Sequence, residues 1–265
     1  MSAADVPSPW RSTRRAILTV IFLFAVYEFF ARSGKFSPAL MPTLGTVGRT
    51  LLDMLIDGTI LQHAAATLTR VLVGFGIAAA VAIPLGIWMG RRDGIANFFL
   101  PLVTALMPIP SLAWVPIFIL WCGIGNMVSI LVVFYAALFP LLLNTYTGVR
   151  SVNPLWLRAA SSMGAREGSI FWKVVIPGAS AFIIAGLRQS FVRAWIAVIG
   201  AEMLASSDYG LGWKIFDAKE FLNADVMLAS VAVIGFIGFM FERLAFGSIE
   251  KATVVRWGMV KMVKG

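Results

Sequence analysis

Ile95 to Val149 reads IANFFLPLVTALMPIPSLAWVPIFILWCGIGNMVSILVVFYAALFPLLLNTYTGV, fifty-five residues without one Asp, Glu, Lys, Arg or His. At about 1.5 Å per residue, a single helix of this length would be more than twice the ~30 Å hydrocarbon thickness of a bilayer. The stretch must therefore fold back once. Gly123-Ile124-Gly125-Asn126, near its middle, is the break signal. This predicts one span over 95–121 and another over 127–148. The first contains Pro108, Pro110 and Pro116, so it should be kinked or partly unwound. Non-helical backbone at membrane depth is tolerated only where protein or a water-filled cavity covers it. Pro108 and Pro110 are thus candidate linings of a solute path, with a buried structural kink as the alternative.

Outward from this stretch the chain stays apolar. It is 59% hydrophobic and 13% charged, about half the charged share of a soluble domain. The excess apolar surface has nowhere to go except lipid. Further spans are predicted over 16–31, 68–90, 177–203 and 224–242, six in all, giving an all-α integral membrane protein. The first is short, with an apolar run from Ala16 to Tyr27 behind Arg11, Arg14 and Arg15. A cleaved signal peptide would look similar, but no small-x-small cleavage site follows, which favours an uncleaved span. Between the first two spans, Leu44, Val47, Leu51 and Leu55 recur at helical spacing, with Arg49, Asp53 and Asp57 on another face. That helix lies in the membrane interface or packs on its soluble side. Thr59 and Gln62 have capping-box spacing for the helix after it. Gly74, Gly76 and Gly86 within that helix permit close contact between helices.

The net charge of +9 could signal nucleic acid, but its placement says otherwise. With the N-terminus inside, six spans put fourteen Lys and Arg residues on the cytoplasmic side and five outside. The fourteen lie in an N-terminal tail (1–15), the turn at Arg91, the stretch Arg150–Lys173, and the residues after the last span. The final segment is a cytoplasmic tail over 250–265. This is the positive-inside pattern, with both termini cytoplasmic.

The segment from Asn153 to Met203 carries the most specific arrangement. Asn153 can cap a short helix, Pro154 suits its first position, and Gly164 can close it. This helix, over about 154–164, is too short and polar to span, yet lies between spans on the basic side. A short rigid helix there suits docking of a soluble partner. Further on, Arg188, Trp195 and Glu202 are seven apart, so they share one helix face. A charge at mid-membrane costs at least ~2.5–3.5 kcal/mol. That face is therefore expected to border the translocation path, with Arg193 packing between helices on a different face. A purely structural Arg188 paired with a polar group such as Asn144 is the competing reading. The residues from 205 to 223 read as an outward-facing loop.

The order Asn153-Pro154, Arg158-Ala159-Ala160, Gly164-Ala165, Pro177, Gly186 and Ala201-Glu202-Met203 resembles the signature of the permease subunits of bacterial ATP-binding-cassette importers. It is most similar to the branch that includes the nitrate, alkanesulfonate and taurine importers. The resemblance extends over roughly 41–257. It implies the type I importer permease fold over 16–249, in the bacterial inner membrane. It also implies that Arg158, Ala159, Ala160, Gly164 and Ala165 form the helix gripped by a cytoplasmic ATPase. The family often has a carboxylate where Arg158 stands, so that ionic contact differs. Tyr209, Gly210, Gly212 and Trp213 look like the family's short outer segment, and a periplasmic substrate-binding protein would dock there or on the helix read over Leu44–Ile56; a solvated connector is the alternative reading of the segment. The implied assembly contains two copies of this chain, two ATP-binding subunits and one binding protein. ATP and Mg are bound by the partner ATPase, with no cofactor or metal in this chain.

The residues agree with a passive role. There is no Gly-x-x-x-x-Gly-Lys-Ser/Thr loop. The single His63 lies outside the predicted membrane core and completes no Ser/His/Asp set, and it excludes a multi-histidine metal site. Cys122 is the only cysteine, so no internal disulfide forms. No catalytic residue is expected. The function read here is passage of a small solute, an organic or inorganic anion such as nitrate, a sulfonate or taurine. A vitamin precursor or an aromatic acid is the alternative cargo. An ion-coupled secondary carrier is the competing class, with Glu28 and Glu202 its only candidate coupling carboxylates.

Overall fold

Helix α6 (Asn126–Arg150) is the mast of the structure, a computed structural model that describes residues 9–205 and 208–246. On one side it packs along α3 (Thr59–Arg91), and on the other along α9 (Ile176–Ala205). Val71, Ala78, Val133, Ala137, Phe191, Ala194, Trp195 and Val198 form the core common to all three. Lipid supplies no hydrophobic drive for helices to associate, so backbone proximity and packing must do so. Gly74 and Gly86 supply it. A Cβ at Gly74 would lie 2.7 Å from the Ile130 carbonyl oxygen, and one at Gly86 would lie 2.9 Å from that of Leu142. Gly76 differs from expectation: it faces open space, with nothing near its missing Cβ.

The uncharged stretch folds as predicted around its two breaks. α4 (Asp93–Leu106) ends at Met107, and a 3-10 turn (Ser111–Trp114) leads into α5 (Val115–Cys122). The two halves meet at 86°. Pro108 and Pro110 cannot donate backbone hydrogen bonds, so the helix cannot continue through them. Gly123 and Gly125 then reverse the chain into α6.

Around this frame lie α1 (Pro9–Arg32), α2 (Leu44–Ile56), α7 (Pro154–Ser162), α8 (Glu167–Ile170), α10 (Leu211–Glu220) and α11 (Ala224–Met240). α2 has the predicted bounds, with the Thr43 hydroxyl accepting from the Thr46 N–H. The capping box at Thr59 and Gln62 does not form. Gly58 takes the cap position of α3, and the Asp57 carboxylate accepts the Thr59 N–H at 2.8 Å. That bond, made to the ionised form, holds the Asp57 carboxyl below its ordinary range. The span predicted to open at Pro177 begins ten residues earlier. α8, a π turn (Phe171–Val175) and α9 form one helical run from Glu167 to Ala205. Proline at an early helical position does not break a helix whose preceding turn has already re-routed its hydrogen bonds. The predicted outer loop is also corrected: most of it is helix α10.

Among the described residues, four helices are long and apolar enough to cross a membrane: α3, α6, the run Glu167–Ala205, and Ala224–Leu244. The bent α4–α5 pair adds a fifth if it counts as one span. α1 is not among them, because only twelve residues separate Arg15 from Glu28, against the ~20 a span needs. Its side chains Ile17, Leu18, Phe22 and Leu23 are more than half exposed. The tail over 250–265 and the start of the N-terminal tail (1–8) lie outside the described residues.

Candidate functional site

Three places gather the residues singled out by sequence. The first is the short helix α7. The Asn153 side chain accepts the Leu155 N–H at 2.9 Å, and Pro154 opens the helix. At the other end, the Gly164 N–H donates to the Ser161 carbonyl and the Ala165 N–H to the Ala160 carbonyl. Gly164 has φ +76°, the left-handed closure that a residue with a Cβ resists. Arg158, Ala159 and Gly164 are exposed, Ala165 is half-buried, and Ala160 is buried against the body of the protein. Leu155 (65% exposed), Trp156 (57%) and Met163 (81%) project outward. Large apolar side chains held out on a well-capped helix form a surface suited to another protein. α7 follows α6 after three residues and leads through α8 into the α9 run, so it is mechanically joined to both.

The second place is the proline break. A cavity of about 350 Å³ opens beneath it, lined by Met107, Pro108, Pro110, Tyr135 and Phe139, with Arg193 from α9. The Tyr135 hydroxyl donates to the Leu106 carbonyl at 2.7 Å, tying the broken end of α4 to α6. The break residues 107–110 are exposed. Arg193 is not packed between helices, as its heptad offset suggested: its side chain is exposed at this cavity.

The third place is a buried polar cluster at the far end of α9. Glu202 is fully buried and Arg70 is 5% exposed. Arg70 Nη1 donates to Glu202 Oε1 at 2.6 Å, and Arg70 Nε donates to Asn126 Oδ1 at 2.7 Å. The second oxygen of Glu202 accepts from the Thr67 hydroxyl and the Gly212 N–H, both at 2.9 Å. Thr67 in turn accepts the Leu211 N–H, and His63 Nδ1 accepts the Gly210 N–H at 3.0 Å. The His63 ring stacks on Trp213, with centroids 5.6 Å apart. Every lone pair facing a donor is used, which is what makes a buried ion pair tolerable.

This geometry revises the shared-face reading of α9. Trp195 and Glu202 point into the chain's own core: α3 and α10 cover Glu202, and α3 and α11 pack against Trp195, with Gly238 close to its ring. Arg188 lies elsewhere, exposed, with its guanidinium on Glu242 just beyond α11 (Nε to Oε1, 2.7 Å). Asn144 is not its partner and bonds Gln189 instead. Of the four outer-segment residues singled out, Gly210 and Gly212 are buried under Glu202, Trp213 is half-buried, and Tyr209 is exposed. The Arg70–Glu202 pair was missed because its members lie 132 positions apart.

The family described as binding-protein-dependent transport system inner membrane component matches residues 82–246. The chain belongs to that family. The permease is 34% identical to the taurine transport system permease protein TauC of Escherichia coli (strain K12) over 241 residues, 88% of this chain and 87% of the relative. It is 30% identical to the bicarbonate transport system permease protein CmpB of Synechococcus elongatus, covering 88% of each. Its backbone superposes on a chain of the inward-facing MetNI methionine ABC transporter with a TM-score of 0.64, at 17% identity, covering 73% of this chain and 95% of that one. The permease therefore has an ABC importer permease fold and is a multi-pass transport component of the inner membrane.

Proposed function

We propose that this permease is the membrane subunit of an ATP-driven importer, working as a pair of copies with a separate cytoplasmic ATPase dimer and a periplasmic binding protein. α7 is the handle the ATPase grips. The observation that carries this reading is the set of exposed apolar side chains on α7, a capped helix joined rigidly to α6 and α9. ATP and Mg belong to the ATPase, and its closure tilts the joined spans. In this reading there are six spans, with α1 as the first and α4–α5 together as the third, and α7 and both termini are cytoplasmic, in keeping with the basic excess. The path runs along the exposed face of α9, bordered by Arg188 and by the break at Pro108 and Pro110. Tyr209 marks the surface offered to the binding protein. The cargo is a small oxyanion. Relatives named for taurine and bicarbonate transport support that class, since both solutes present resonance-delocalised oxygens.

An ion-coupled carrier needs an intramembrane carboxylate free to take up and release its ion. Both candidates here are engaged. Glu202 is locked as described, and Glu28 accepts from Arg32 at 2.6 Å and from the Leu44 N–H at 2.8 Å.

The test is co-purification. Wild-type permease expressed with the ATPase and binding protein of its own system should elute with the ATPase, and binding protein with cargo should raise ATP turnover. Trp156→Glu should abolish co-elution while the permease stays monodisperse. Undiminished co-elution of that variant would overturn the assignment of α7.

A further inference from the structure

The intramembrane arginines of this chain are not alike. Arg70 is neutralised by Glu202, and Arg188 is held by Glu242. Arg193 makes no ion pair or side-chain hydrogen bond among the described residues. At about 1.5 Å per residue it lies roughly 13 Å along α9 from Glu202 and roughly 7 Å from Arg188. On the six-span reading above it lies well inside the apolar zone. A guanidinium cannot lose its proton to escape the cost of that position. Of the two acidic groups on α9 or beside it, Glu202 is engaged through both oxygens and Glu242 holds Arg188 through Oε1; neither is paired with Arg193.

The surroundings show what would compensate it. Arg193 lines the 350 Å³ cavity under the 107–110 break, a volume within the range of ligand pockets, ~300–1,000 Å³. The break exposes non-helical backbone at membrane depth, which requires a water-filled space or protein beside it. The rest of the cavity wall is mostly apolar and aromatic, with Tyr135, Phe139, Ile196 and the prolines, and Ser111 beside them. One unpaired charged group among mostly apolar walls is a recognition arrangement: few other groups compete for it, and its positive charge and N–H donors attract a carboxylate or sulfonate.

We propose that Arg193 is the cargo-selecting group of the permease, donating to the oxyanion head of the solute as it passes the proline break. This rests on the importer reading above and adds to it a named contact and a charge requirement. The solute's oxygens are met by a fixed donor rather than by water, and neutral solutes of the same size gain nothing from the cavity. Arg188, tied to Glu242, plays no part in this selection.

The experiment uses the complete complex, permease with its ATPase and binding protein, in proteoliposomes. Uptake of radiolabelled taurine, ethanesulfonate and bicarbonate is measured with and without internal ATP. For whichever of the three the wild type imports, Arg193→Gln should lower uptake about tenfold or more, the weight of a hydrogen bond to a charged group. Arg193→Lys, which keeps the charge but not the fork, should retain most of the rate with a raised KM. Wild-type uptake by Arg193→Gln overturns the proposal. So does equal loss in Arg193→Gln and Arg193→Lys, which would mark a shape requirement. ATP-driven turnover stimulated by the loaded binding protein, with none of the three anions imported, overturns the proposal and leaves the importer reading standing. Absence of ATP-dependent uptake of any solute and of ATPase coupling overturns both.

Discussion

Removing Glu202 should be among the most damaging single changes outside the helix contacts. Glu202→Ala takes from Arg70 Nη1, the Thr67 hydroxyl and the Gly212 N–H the carboxylate they all donate to, leaving Arg70 only Asn126 as a partner. Breaking one partner of a buried pair costs about 3–5 kcal/mol. At roughly 2–4 °C per kcal/mol for a chain of this size, the apparent melting temperature should fall by roughly 6–20 °C. The nine tryptophans allow this to be followed by intrinsic fluorescence in detergent. Arg70→Met should cost a similar amount, because it strands the carboxylate. The double variant Arg70→Met/Glu202→Met removes both charges and should lose much less than the two single losses added together. A Glu202→Ala shift below about 2 °C, or strict additivity in the double variant, would refute the claim that this pair clamps α3, α9 and α10.

Other outcomes follow from the same geometry. Gly212→Ala puts a Cβ onto the Ile199 carbonyl oxygen and should reduce the yield of monodisperse protein severely, whereas Gly76→Ala, which meets nothing, should not; size-exclusion profiles separate them. Gly164→Val forces a β-branched residue into φ +76°, at about 1–2 kcal/mol, and should weaken ATPase co-elution more than it lowers melting temperature. Asp57 has its carboxyl held below the ordinary range by the Thr59 N–H, so its contribution is present above about pH 4 and disappears as pH falls through the folded value. Asp57→Asn should therefore melt lower than wild type at pH 7, and the gap should close on acidification toward pH 3. Arg188→Glu or Glu242→Arg alone should lower thermal stability, and the exchanged pair should recover part of it.

Local signals carried much of the fold. The apolar repeat of Leu44, Val47, Leu51 and Leu55 set α2 to the residue, and Asn153, Pro154 and Gly164 marked both ends of α7. Pro108 and Pro110 announced a break because proline acts through its own backbone. Long-range partners were not legible. Glu202 stands at heptad spacing from Arg188, but α3 and α10 cover the helix around Glu202 and leave Arg188 exposed, and nothing in a period of 3.6 reveals a partner 132 positions away. The same blindness sent Arg193 into the packing and left it out of the cavity. The stretch read as a loop folds largely as α10, and glycines 210 and 212 sit tight against α9. They are glycine because Glu202 leaves no room for a Cβ. His63 gave no signal of its own, since its stacking on Trp213 exists only once α10 has folded over it.

The interlocked backbones of α3 and α6 bear on how force crosses this molecule. With carbonyl oxygens seated against Gly74 and Gly86, these helices have no slack to stretch or slide, so a push at one end is not absorbed along the way. The trio with α9 behaves like a stiff oar. On the proposed reading of α7 as the handle of an ATPase, a small stroke there would reappear at the far end of the trio, where the bent α4–α5 pair packs against α6.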